Sequence, residues 1–106
     1  MRAGRLKHPI TFVQKTATRD AMGGEVITWV DYADDWAEVV PLRGREYFAA
    51  RQMEAAADVR FRVRYRDDIE AYWRIRWRTD LYEIVDVINV EADDRATEMM
   101  CRSVPT

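Results

Sequence analysis

Alternation of apolar and polar residues with a period of two runs through most of the chain and predicts a β protein. Residues 9–15 (PITFVQK) read as a first strand, with Ile10 and Phe12 on one face. Segments 25–31 (EVITWVD) and 35–42 (DWAEVVPL) follow, and Pro41 is expected to end regular pairing. The later strands are 58–66 (DVRFRVRYR), 72–78 (YWRIRWR), 81–90 (LYEIVDVINV) and 97–104 (TEMMCRSV). Residues 16–24 read as a turn, where Gly23-Gly24 can take positive φ. The pairs Asp34-Asp35, Asp67-Asp68 and Asp93-Asp94 are also assigned to turns, because Asp bonds its own backbone there. The expected fold is mainly β, a small antiparallel β-barrel or sandwich of about six to seven strands, in one domain over residues 1–106.

One stretch breaks the pattern. Residues 45–57 (REYFAARQMEAAA) are alanine-rich and predict an inserted helix. Ala49, Ala50, Met53, Ala56 and Ala57 form one small-residue face at helical spacing. Tyr47 and Phe48 point away from that face, beside Arg51. Periodicity leaves two destinations for them: folded back over the barrel end, or set against another subunit as aromatic–arginine anchors.

The strongest charge pattern lies in two strands. Arg60, Arg62, Arg64 and Arg66 alternate with Val59, Phe61, Val63 and Tyr65, and Arg74, Arg76 and Arg78 alternate with Trp73, Ile75 and Trp77. Side chains alternate across a strand, so each has an apolar face and an arginine face. If the two strands were neighbours, these guanidinium groups would share one surface and need compensation. One reading is a solvated face whose heads pair with acids such as Glu83, Glu91 and Glu98. The other is a basic surface that meets an acidic partner protein or a DNA backbone.

Composition narrows the chemistry. The 17 basic and 19 acidic residues leave a formal net charge of −2, which gives no bulk case for nucleic-acid binding. The single cysteine, Cys101, allows no internal disulfide and is expected to be a small buried hydrophobe in a reducing compartment. No signal peptide and no membrane span is visible, so a soluble intracellular domain is expected. His8 is the only histidine, which leaves no thiol–imidazole pair and no zinc set. The four glycines form no phosphate-cradling loop. No catalytic residue, metal or cofactor is expected.

The order of these segments resembles the head–tail adaptor proteins (head-closure, or "stopper") of long-tailed bacteriophages and prophages. The resemblance runs from AGRLKHPITF through WAEVVPLRGREYFAA (residues 36–50), VRFRVRYR, RWRTDLYEIVDV and EMMCRSV. It implies a small β-barrel with a helical excursion and a structural, non-enzymatic role. Such proteins form a ring below the portal-side connector, which can be the template that assembles a chain monomeric in isolation; they help to close the DNA-filled head and dock the tail-completion or terminator protein. Genomic DNA would pass through the ring without specific binding, and the protein would reside in the virion neck after assembly in the host cytoplasm, with no membrane partner. A ring needs heterologous contacts that close. The resemblance therefore favours Arg45, Tyr47, Phe48 and Arg51 as an intersubunit or partner interface. The alternatives are another neck or tail-completion component, or a small nucleic-acid-binding β-barrel that uses the arginine strands.

Overall fold

The structure, a computed structural model, describes residues 6–42, 57–90 and 95–105. Six strands lie within them: β1 (His8–Arg19), β2 (Glu25–Pro41), β3 (Val59–Arg64), β4 (Arg74–Trp77), β5 (Asp80–Val90) and β6 (Ala96–Val104). Every neighbouring pair is antiparallel, and the sheet closes into a barrel in the order β1-β2-β3-β6-β5-β4. The mainly β, barrel-like expectation holds. The predicted helix at 45–57 lies outside the described residues except for Ala57, which is buried and belongs to no regular element.

The inward face is the apolar face that alternation marks. Phe12, Phe61, Val63, Ile75, Ile84, Met99 and Cys101 are fully enclosed. Burying each of the larger side chains contributes about 1.5–3 kcal/mol. Phe61, Trp77 and Tyr82 pack edge-to-face or tilted, with centroids 5.3–6.3 Å apart, and fill one end of the barrel.

Two local expectations are corrected. Asp34 and Asp35 lie within β2, which runs unbroken where two strands and a turn were expected. Pairing of Asp34 with Thr11 and of Asp35 with Ile10 overrides the turn preference of Asp, and a bulge between Phe12 and Val13 absorbs the irregularity. The first turn is also shorter than expected, since β1 continues to Arg19 and only residues 20–24 reverse the chain. There the Asp20 carboxylate accepts from the N–H of Met22 (2.9 Å) and of Gly24 (2.8 Å), while Gly23 takes φ 83°.

Register gives the barrel two distinct poles. β1 meets β4 only over Thr11–Val13, and β2 meets β3 only over Glu38–Pro41. Beyond Val13 and before Asp31, β1 and β2 pair with each other and with no third strand among the described residues. This two-stranded arm is about 20 Å long at strand rise, and the molecule measures 49 × 29 × 28 Å. At the opposite end of β2, Leu42 N–H donates to the Asp58 carbonyl (3.0 Å), and Leu42 and Ala57 are buried against Met100. The stem of the 43–56 excursion is therefore fixed at the pole away from the arm.

Candidate interaction surfaces

The two arginine strands are not neighbours. β3 lies between β2 and β6, and β4 between β5 and β1, so the barrel holds the two series on different sides. Alternation sets which face a residue occupies, whereas distant pairing sets its neighbours. Arg60, Arg62 and Arg64 lie on β3, and Arg74 and Arg76 on β4; Arg66 and Arg78 fall just past the strand ends.

Carboxylates compensate Arg60, Arg62, Arg66 and Arg76, while Arg74 and Arg78 stack on aromatic rings. Arg62 donates through Nε (2.9 Å) and Nη2 (2.7 Å) to Glu98 Oε2, and Arg60 Nε lies 3.6 Å from the same oxygen. Arg76 Nη2 donates to Asp31 at 2.7 Å, which ties β4 to the root of the arm. That hydrogen bond holds the Asp31 carboxyl below its ordinary pKa. The Arg74 guanidinium stacks 4.0 Å from the Trp29 ring centre, and that of Arg78 4.4 Å from Trp77. Of the acids expected to serve the series, Glu98 does so, Glu83 pairs with Arg102, and Glu91 lies outside the described residues.

Arg66 leaves the series to cover the arm-side mouth of the barrel. Its Nε and Nη2 donate to Asp68 (3.0 and 2.8 Å), its Nη1 donates to Asp35 (3.1 Å), and its head lies 5.3 Å from the Phe12 ring centre. Tyr32 completes the group, with its hydroxyl donating to Asp68 (2.9 Å) and its ring 5.0 Å from that of Trp73. The Arg66 bonds, and then the Tyr32 bond, hold the Asp68 carboxyl down at about 2 against partial desolvation. The same carboxylate raises the pKa of the Tyr32 hydroxyl and of the Arg66 guanidinium.

Sequence reading missed two features. Trp36 is 57% exposed on the outer face of β2. It forms a wall of a cleft of about 480 Å³ with Pro9, Thr11, Asp34, Arg76 and Arg78. The signal was present: Asp34, Trp36 and Glu38 share the polar phase of β2, opposite Ala33, Ala37 and Val39. The second feature is the arm, on which Val26, Ile27 and Val30 are exposed, with Met22 at its tip. Arg45, Tyr47, Phe48 and Arg51 lie outside the described residues. Cys101 is buried and its thiol pKa is pushed up by burial, and no metal-holding cluster of His, Cys, Asp or Glu occurs among the described residues.

Comparison with known proteins places this geometry. The family described as phage head completion protein matches residues 1–104. Protein SF1141 from Shigella flexneri 2a, solved in solution, is 31% identical with a TM-score of 0.81, over 97% of this chain and 96% of that one. A chain of the virion of a native gene transfer agent particle shares the fold at 18% identity and a TM-score of 0.66, over 96% of this chain and 98% of that one. No curated protein matches the chain.

Proposed function

This chain belongs to the phage head completion protein family, and on that premise we propose that it is a structural, non-enzymatic subunit of a ring joining the head connector to the tail. The observation that carries the reading is the two-pole barrel: a projecting arm at one end and the stem of a 14-residue excursion at the other. A subunit between two different partners needs two different docking ends on a rigid body. The excursion carries Arg45, Tyr47, Phe48 and Arg51, which we assign to contacts with the neighbouring subunit or with the portal-side connector. The tail-completion or terminator protein is the partner on the far side of the ring.

Genomic DNA passes through the ring without specific binding. Local pairing of Arg62, Arg66 and Arg76 with carboxylates supports this, because neutralised guanidinium groups release few counterions from phosphates. The virion neck is the site of residence and the host cytoplasm the site of assembly. Deleting the gene tests the role: filled heads without tails, leaking DNA and restored by the gene in trans, are expected. Normal tailed particles from the deletion would refute it.

A further inference from the structure

We infer that the β1–β2 arm is a self-pairing element, in which the β1 edge of one subunit adds to the β2 edge of the next. The inference rests on the ring reading above and assigns it a contact.

Both arm edges lack a sheet neighbour among the described residues, from Gln14 to Arg19 on β1 and from Glu25 to Val30 on β2. A two-stranded ribbon is marginal in water by itself, and open edges are usually blunted by lysine, proline or bulges. Here the β2 edge has neither lysine nor proline from Glu25 to Val30, the bulge of the β1–β2 pair lies beyond the arm at Tyr32, and Val26, Ile27 and Val30 are exposed.

The two edges carry opposite charge. Gln14–Arg19 holds Lys15 and Arg19 and no acid, whereas Glu25–Asp31 holds two acids and no base. Cross-strand register puts Lys15 level with Trp29 and Arg19 level with Glu25, so all four charges fall on one face of the arm. Arms side by side and pointing the same way bring β1 of one subunit antiparallel to β2 of the next. In flush register Arg19 then lies between its own Glu25 and the neighbour's, and Lys15 lies one diagonal step from the neighbour's Asp31, which also accepts from Arg76 of its own chain. The contact is heterologous, and its repetition around an axis gives a ring when the rotation per subunit closes and an open filament when it does not. A ribbon is about 10 Å wide on a body 28 Å across, so arms of adjacent subunits meet only where they converge towards the ring axis. A second copy of this chain is therefore the occupant that both edges fit at once.

The test uses the full chain and two charge variants, one with Lys15→Glu and Arg19→Glu, the other with Glu25→Lys and Ile27→Lys. Sedimentation velocity over rising concentration is expected to show association of the unaltered chain, weakening with salt. Each variant alone should associate about tenfold more weakly or worse, and an equimolar mixture should recover association over either variant alone, short of the unaltered chain because each arm keeps a like-charge pair at positions 19 and 25. Variants that associate as the unaltered chain does would overturn the arm pairing and leave the ring reading standing. So would an unaltered chain that stays monomeric, because this contact needs no third protein. Should the charge variants fail to fold, mixing an Arg19→Cys chain with a Glu25→Cys chain decides the matter. The mixed disulfide should then exceed either homodimer, and parity with a cysteine placed at Tyr72 would refute the contact.

Discussion

Arg62 on β3 directs both Nε and Nη2 at a single oxygen of Glu98 on the adjacent β6, at 2.9 and 2.7 Å. Glu98 is thus the anion around which Arg60 and Arg62 are arranged. Its side chain is 13% exposed, so solvent compensates little for its loss. Glu98→Gln should cost about 1–3 kcal/mol in urea unfolding, because a charge-assisted acceptor disappears between two cations. Replacing the pair together, Arg62→Met with Glu98→Leu, should recover part of that loss. A neutral Glu98→Gln would mean that the arginine face is not held by this carboxylate.

Thr97 is the one fully buried polar side chain in the core among the described residues. Its hydroxyl accepts from the Arg66 N–H and donates to the Arg66 carbonyl, both at 3.0 Å, where the backbone leaves β3. Thr97→Val keeps the shape and strips both partners. A loss of about 1–3 kcal/mol is expected, with Thr97→Ser retaining most of the stability. Equal losses for the two substitutions would point to packing instead of the hydroxyl.

The mouth of the barrel should respond to acid. The Asp68 carboxyl is held at about 2, below its ordinary 3.8, chiefly by Arg66 and then by Tyr32. A lowered folded-state pKa adds stability above the unfolded value that fades as pH falls through the folded one. Asp68→Asn should therefore lower Tm at pH 6 and converge with the unaltered chain as pH approaches 2. Tyr32 has the opposite sign: its raised pKa stabilises the fold below pH 10, and the gain is lost as pH climbs beyond that. A Tm gap for Asp68→Asn that stayed constant from pH 6 to pH 2 would contradict this.

Alternation alone placed Phe61, Val63 and Ile75 in the core and Arg60, Arg62 and Arg74 outside it, because the strand period fixes sidedness locally. What it could not supply was pairing across distance. Whether β3 and β4 are neighbours depends on closure of the barrel, and closure separates the two arginine series. Asp34 and Asp35 read as a turn from local preference, yet their fate is set by Thr11, which donates its hydroxyl to Asp34 at 2.7 Å, and by Arg66, which lies later in the chain. The arm escaped notice for the same reason: its strands look ordinary, and only the missing third strand marks it.

Phe48 lies in the excursion assigned to assembly. If Phe48 meets only a partner, as proposed, Phe48→Asp should leave the Tm of the isolated chain within about 2 °C, while incorporation into particles falls sharply in a complementation assay. Undiminished incorporation would remove Phe48 from the interface.

A barrel that serves as a ring subunit between head and tail must be found there as a ring. Electron cryo-microscopy of the neck in intact particles tests it most directly. A closed ring of this chain between the connector and the tail is expected, with arms converging on the axis. A neck in which the chain is absent, or is bound as isolated copies without mutual contact, would contradict it.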